Sequence, residues 1–167
     1  PENAKKAHDR IHESHKILAQ VRQEHLPESR QMELDEVVSF FDKYLRKNAR
    51  PAETSAFEAL AKTAQKSINQ KHGDFEKHLE SLKNRNFEIL WRQDWFVIDY
   101  FKSMCDSPDL FAKADREIID PIIETGRQCL RSDDIDELRN VVAQLAQRSI
   151  RRGSEDKMTE IVNIIGG

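Results

Sequence analysis

The chain has 167 residues, of which 34% are charged and 38% are hydrophobic, with only five glycines and five prolines. That length corresponds to one domain or two small subdomains and is enough to bury roughly 70% of the surface of the unfolded chain. Loops that cradle a dinucleotide or a phosphate need glycines where the backbone approaches the anion. Here the glycines are isolated (Gly73, Gly126, Gly153) or terminal (Gly166, Gly167), so no such loop can be built.

The net charge of −3 is spread evenly along the chain, which predicts no nucleic-acid partner. Nucleic-acid binders present a basic face that replaces the counterions of the phosphates. The nearest basic cluster, Arg148, Arg151 and Arg152, is followed at once by Glu155 and Asp156. No apolar run approaches the roughly 20 residues that span a bilayer, and no signal peptide opens the chain, so we expect no membrane association.

The two cysteines, Cys105 and Cys129, lack the Cys-x-x-Cys spacing of zinc and redox sites and cannot form a disulfide framework. Both lie at apolar helix spacing, which favours buried core residues over catalytic nucleophiles. We therefore expect a reducing, cytoplasmic location. The chain starts at Pro1 without Met, which leaves open a processed start or a piece of a longer protein.

Apolar spacing is helical nearly throughout the chain. A narrow stripe predicts a helix over 3–26 that Pro27 interrupts, and a second helix follows over about 29–48. Pro51 suits the first turn of a third helix, which is expected to end near Gly73. Asp74 is the expected N-cap of a fourth helix, and nothing obvious stops that helix before Asp106, although a bend near residues 84–86 is possible. The stripe of the first helix consists of Ala4, Ala7, Ile11, Leu18 and Val21.

The elements after Asp106 are shorter. Ser107-Pro108-Asp109 predicts a cap and a turn or two. A helix is expected over 114–131, with Pro121 either at its first position after an Asp120 cap or in the first turn of a longer helix. Ser132-Asp133-Asp134 caps the cleanest predicted helix, and Gly153 ends that region. The apolar side of that helix carries Ile135, Leu138, Val141, Val142 and Leu145, and the tail offers Met158, Ile161, Ile164 and Ile165 for docking.

These patterns predict an all-α fold, a helical bundle of long antiparallel helices followed by a compact cluster of shorter helices. We expect one part over 1–85 and a second over 86–167, the two sharing an aromatic helix over 86–105. No segment shows the sustained alternation of a β-strand.

The sequence indicates no catalytic or metal chemistry. His8, His12 and His15 fall on one side of a helix and could chelate a transition metal, but charged neighbours favour plain surface histidines, with a weak adventitious site as the alternative. No Glu-x-x-His di-iron pattern, His-Glu-x-x-His motif or Gly-x-Ser-x-Gly elbow occurs. We therefore predict a non-enzyme with no metal and no cofactor in this segment.

The most unusual stretch is residues 87–101, which holds both tryptophans of the chain. Its apolar arc covers more than half of a helix, which is typical of a central bundle helix or of a helix shared between subunits. Core packing and a contact with a partner, a client or a second copy both remain open, because aromatic side chains also dominate interfaces. The predicted contact residues are Trp91, Trp95, Phe96 and Tyr100.

Two runs of sequence carry a family resemblance. The first is Asn86-Phe87-Glu88-Ile89-Leu90-Trp91-Arg92-Gln93-Asp94-Trp95-Phe96. The second is the stretch from Gly126-Arg127-Gln128-Cys129-Leu130 to Asp134-Ile135-Asp136-Glu137-Leu138-Arg139-Asn140-Val141-Val142-Ala143-Gln144-Leu145. They are similar to the C-terminal helical region of divergent bacterial DnaK-type (Hsp70-class) heat-shock chaperones. The resemblance covers most of the chain.

The resemblance implies an ATPase domain and a β-sandwich substrate domain upstream of Pro1, with this segment as a lid or an appended helical module. Lids of that family close over bound extended peptide and slow its escape. The expected function is thus a non-catalytic protein-interaction module acting in protein folding and the stress response. Its expected partners are the upstream substrate-binding domain, a client protein and, as a further option, a second copy of the chain. The alternative is a free-standing helical adaptor or dimerisation domain.

Overall fold

The structure is a computed structural model that describes residues 2–71 and 73–150, with residues 2–4 described as backbone only. Within these ranges every regular element is helical and no strand occurs, so the predicted all-α fold class is confirmed. The chain divides into two compact units, residues 1–86 and 87–167; the sequence places this division after residue 85. The predicted stop at Gly153 and the apolar tail of Met158, Ile161, Ile164 and Ile165 lie outside the described residues, as do Arg151 and Arg152.

The first helix, α1, runs from Glu2 to Phe40 and contains Pro27. The predicted interruption at Pro27, with separate helices before and after it, is therefore wrong. Proline fixes φ near a helical value and removes one backbone donor, which costs a hydrogen bond but does not by itself end a helix. The helix ends instead in a π-helical turn over Phe41–Leu45.

Two further helices complete the first unit. The second helix, α2, spans Pro51–Asn69, with the predicted proline in its first turn. The Glu53 carboxylate accepts a hydrogen bond from the backbone N–H of Arg50 at 2.8 Å, which closes the N-terminus of α2. The third helix, α3, begins at Phe75, directly after Asp74, and continues to Trp91 in the second unit.

The three helices of the first unit run up, down and up. Gln31 and Gln65 hydrogen-bond across α1 and α2, and Arg46, directly after the π-helical turn that follows α1, reaches back to Glu58 at 2.8 Å, so α1 and α2 are antiparallel. Phe41 stacks on Phe57 with ring centroids 4.1 Å apart, at the centre of this contact. Contacts from Arg30 to Glu76 and from the carbonyl of Val37 to Asn86 place α3 parallel to α1.

The predicted aromatic helix over 86–105 is two helices in the structure. The third helix ends at Trp91, and a fourth, α4, spans Asp94–Asp106. Gln93 takes an extended conformation (φ −83°, ψ 122°) between them. The break therefore lies at residues 92–93 and not at the predicted bend near 84–86.

The rest of the second unit is built from short elements. Two 3₁₀ turns, Pro108–Leu110 and Lys113–Asp115, lead into α5 (Arg116–Ser132), which is followed by α6 (Ile135–Arg148). Pro121 is the sixth residue of α5 and lies in its second turn, so both predicted placements are wrong: it is neither the first residue after an Asp120 cap nor in the first turn. Asp133 adopts a left-handed conformation (φ 56°) between the two helices.

The core of the second unit lies between α4, α5 and α6. The N–H of Ile150 donates to the carbonyl of Leu110 at 2.7 Å, and this hydrogen bond fastens the segment after α6 to the segment after α4. Gly126 lets α5 approach the ring of Phe101 and the side chain of Val141 closely. The buried side chains of this core are Val97, Phe101, Met104, Leu110, Phe111, Ile119, Ile123, Cys129, Leu138, Val141, Val142 and Leu145.

Candidate protein-interaction surfaces

The four predicted contact residues gather where α3 ends and α4 begins. Trp91 is the last residue of α3, Trp95 and Phe96 lie in the first turn of α4, and Tyr100 follows one turn later. Helical residues four apart share a face, so Phe87 and Trp91 form a short aromatic face of α3, and Phe96 and Tyr100 form one of α4. The break at residues 92–93 brings these two faces together. We call the five rings of Phe87, Trp91, Trp95, Phe96 and Tyr100 the aromatic corner.

Phe96 is the centre of the aromatic corner. The ring of Tyr100 stacks on it at 5.6 Å, while Phe87 and Trp95 meet it edge to face at 6.1 and 6.0 Å. Trp91 stacks on Phe87 at 5.9 Å. Such pairs contribute about 0.5–1.5 kcal/mol beyond the burial of area, so these ring contacts stabilise the corner.

The predicted contact residues differ sharply in exposure. Phe96 is fully buried, and Trp91 and Tyr100 are partly buried against the core of the second unit. Trp95 is 39% exposed. Phe87, which is not among the predicted contact residues, is 37% exposed. The most exposed rings of the corner are therefore Trp95 and Phe87, which both meet the buried Phe96 edge to face.

Arg139 of α6 holds the aromatic corner in place. Its guanidinium donates to the backbone carbonyls of Trp91 at 3.2 Å and Arg92 at 3.4 Å, and to the Asp94 carboxylate at 3.0 Å. A helix leaves its last carbonyls without partners, and here one side chain supplies partners for two of them. The planar fork of arginine suits this task better than lysine would. Sequence reasoning missed this role because the arginine lies about 45 residues away in the chain and belongs to no local capping pattern.

The two cysteines are placed as core residues of the second unit. Cys129 is buried in the core, and Cys105 packs partly buried against it. Burial raises the pKa of both thiols. Because the thiolate is the reactive form, a raised pKa lowers its fraction at neutral pH and disfavours nucleophilic attack.

The histidines of α1 stand on an open surface. His8, His12 and His15 are all exposed. In the part of the chain that the structure describes, no group of three or more His, Cys, Asp or Glu side chains is arranged to hold a metal ion.

A second surface lies on the first half of α1. Every residue from Lys5 to Leu26 is exposed, including the apolar ones. Burial begins at Pro27 and becomes complete at Leu34. The sequence predicts the stripe on this helix but not that the stripe faces solvent. The large exposed apolar side chains of this stretch are Ile11, Ile17, Leu18, Val21 and Leu26.

Comparison with protein-family models, with curated proteins and with solved structures finds no match to this chain. None of the helices among the described residues combines the length and the apolar character needed to cross a membrane. Two exposed surfaces of the chain, the aromatic corner and the first half of α1, offer the chemistry for contact with a partner.

Proposed function

We propose that this chain is a non-catalytic, helical protein-interaction module that contains no cofactor, and specifically that it is the C-terminal lid-like region of a DnaK-type chaperone. The observation that supports this best is the aromatic corner, where Trp95 and Phe87 are exposed and both contact the buried Phe96. Large exposed aromatic side chains on a rigid support are typical of residues that dominate binding energy.

The two runs of sequence that resemble the chaperone family support the more specific part of the proposal. Apart from Asn86, both runs lie in the second unit. Arg139 of the second run bonds the backbone of Trp91 and Arg92 in the first. Gly126, which opens the second run, receives the ring of Phe101 just beyond the first. Sequence features that are far apart in the chain thus build one structural feature.

In this proposal the module works by contact and not by chemistry. The aromatic corner docks on an upstream substrate-binding domain or on an extended client peptide and slows the escape of the client. A second copy of the chain is a further partner, while nucleic acid and membranes are not partners. We place the protein in the cytoplasm, where free thiols such as Cys105 and Cys129 stay reduced. A role in protein folding under stress is consistent with that location.

Substitution of Trp95 tests the contact. In the intact protein we expect Trp95→Ala to speed the release of a fluorescent extended peptide by about 30-fold, the loss typical of an interface hot spot. Because Trp95 is exposed, its removal should lower the free energy of unfolding by less than about 1 kcal/mol. Release is measured by competition with unlabelled peptide, and unfolding by urea titration.

Two variants control this experiment. Ile118→Ala removes a similarly exposed apolar side chain of the same unit, 48% exposed, and should leave peptide release unchanged. Phe96→Ala should instead lower stability by about 3–5 kcal/mol, because that ring is fully buried. Equal release rates for wild type, Trp95→Ala and Ile118→Ala would remove the aromatic corner as the contact surface.

The alternative function, a free-standing helical adaptor or dimerisation domain, is favoured by the exposed apolar stripe of α1. The two functions differ in what precedes Pro1. The native reading frame of a DnaK-type chaperone extends several hundred residues upstream and carries the glycine-rich phosphate-binding motifs of an ATPase domain. A frame in which Pro1 follows the initiator Met would refute the chaperone proposal.

A further inference from the structure

The first half of α1 carries the repeat of a coiled coil. The positions 7, 11, 14, 18, 21 and 25 alternate in steps of four and three, the spacing of the a and d positions of a heptad. We call these positions the N-terminal seam, and they hold Ala7, Ile11, Ser14, Leu18, Val21 and His25.

The seam is exposed, although its apolar spacing is typical of a helix face that is buried against a partner helix. Ile11 and Leu18 are 58% and 54% exposed, and no residue of 5–26 is buried. A helix without tertiary packing is marginal in water, and most helices in proteins are stabilised by packing one apolar face. The Ser14 hydroxyl already donates to the carbonyl of Arg10 at 2.8 Å, so covering the seam would leave no unsatisfied hydroxyl donor.

We propose that the N-terminal seam pairs with the same seam of a second copy of this chain in antiparallel orientation, with the two helices crossing at Lys16. Antiparallel coiled coils pack an a position of one helix against a d position of the other. In this register Ile11 packs on Val21 of the second copy, and Ser14 lies beside Leu18. Each pair occurs twice, because the two-fold axis passes through the crossing point.

Charge complementarity selects the antiparallel orientation. The g positions next to the seam hold Arg10, Ile17 and Glu24. In antiparallel pairing Arg10 faces Glu24 of the second copy, twice, and the two Ile17 side chains meet at the centre. In parallel pairing Arg10 would face His15, and Glu24 would face Ser29, so neither charge would gain an opposite partner.

The other edge of the seam adds no attraction. Its e positions hold His8, His15 and Arg22, and antiparallel pairing brings His8 beside Arg22 and His15 beside its own copy. The g edge therefore carries the electrostatic specificity of the dimer. This asymmetry makes the orientation testable with charge reversals at Arg10 and Glu24 alone.

The length of the exposed stretch matches this register. With Lys16 at the crossing point, residue 5 of one copy reaches residue 27 of the other, where burial in the first unit begins. The paired segment is thus about three heptads, or about 35 Å, and uses the whole exposed stretch without entering the bundle. If the paired segment were one heptad shorter, exposed apolar residues would stay unpaired. If it were one heptad longer, it would include positions that are already buried in the first unit. Dimerisation through the N-terminal seam is independent of the proposed chaperone function, which depends on the second unit.

Sedimentation equilibrium of the full chain, over a range of concentrations, tests the proposal. We expect a reversible dimer for the wild type. Arg10→Glu and Glu24→Arg should each weaken dimerisation about tenfold, because each places like charges opposite one another at two symmetric sites. The double variant Arg10→Glu/Glu24→Arg should restore the wild-type dissociation constant. The matched control Glu13→Arg/Lys16→Glu reverses two charges that point away from the seam and should change nothing.

Helicity is measured by circular dichroism on the same samples, so that a misfolded variant is recognised; the substituted residues are exposed, and the bundle should stay folded. A wild type that remains monomeric at several hundred micromolar would overturn the proposal. A dimer that weakens in both single variants but is not restored in the double variant would exclude the antiparallel register. A dimer that none of the charge reversals affects would place the interface elsewhere.

Discussion

The first half of α1 and the last described helix, α6, both carry an apolar stripe, yet only one of the two stripes is buried. In α6, Leu138, Val142 and Leu145 are fully buried and Val141 nearly so. In residues 5–26 of α1 no side chain is buried. The composition of the chain as a whole cannot explain why one stripe is buried and the other exposed, because both helices belong to the same polypeptide and have the same helical period.

The width of the stripe distinguishes the two helices. Val141 and Val142 are adjacent in α6 and widen its apolar arc, so that the helix packs against α4 and α5 at once. The N-terminal seam of α1 advances in steps of three and four, and among its large apolar side chains only Leu18 has a large apolar neighbour in the chain, the equally exposed Ile17, so the strip is narrow along most of its length. A wide arc suits a multi-helix core, whereas a narrow strip suits one partner helix.

Truncation of one leucine in each helix should give the largest contrast. We expect Leu138→Ala to lower the free energy of unfolding by about 2–5 kcal/mol, because it leaves a cavity in a closed core. Leu18→Ala should change it by less than about 0.5 kcal/mol in dilute monomer, since Leu18 is 54% exposed. Urea titration at low micromolar concentration measures both. A loss of several kcal/mol for Leu18→Ala would mean that the first half of α1 is packed within its own chain.

A smaller effect is expected from filling the close approach at Gly126. A Cβ there would lie 2.3 Å from one ring carbon of Phe101 and 3.1 Å from a methyl group of Val141. Alanine favours a helix over glycine by about 1 kcal/mol, but overpacking a closed core costs about 1–3 kcal/mol. We therefore expect Gly126→Ala to destabilise the second unit in thermal unfolding.

The companion variant Gly126→Ala/Phe101→Leu removes the ring that the new methyl group would strike. In this background the added Cβ should be tolerated, so that Gly126→Ala costs less than it does beside Phe101. If Gly126→Ala instead stabilised the wild-type protein, the packing of α5 on α4 would have to be looser than the structure has it.

Much of the fold follows from local signals in the sequence. Pro51 and the Asp134 cap mark helix starts where they are expected, and the aliphatic side of α6 is the buried side. Pro27 misled because the penalty of a proline inside a helix is finite, so a proline does not by itself end a helix. The break at residues 92–93 could not be predicted locally, because the partner of the freed carbonyls, Arg139, comes from another helix.

The candidate surfaces were predictable to a lesser degree. Aromatic content singles out residues 87–101, but the pattern cannot tell the buried Phe96 from the exposed Trp95. Consecutive residues of a helix are rotated by about 100° from each other, so the orientation of α4 in the second unit decides which of the two rings is buried. For the seam of α1, the sequence predicts the apolar spacing but not the exposure, because exposure depends on where the helical bundle begins.

The smallest expected effect comes from the N-cap of α6. The start of α6 is fixed by a residue of its own chain, whereas the first half of α1 is proposed to depend on a second copy. The Asp134 carboxylate accepts a hydrogen bond from the N–H of Glu137 at 3.1 Å. Loss of such an N-cap costs about 1 kcal/mol, so Asp134→Ala should lower Tm by about 2–4 °C. Asp134→Asn keeps the acceptor oxygen and should stay close to wild type, which isolates the hydrogen bond from the charge. A Tm for Asp134→Asn as low as that of Asp134→Ala would instead assign the effect to the interaction of the carboxylate with the helix dipole.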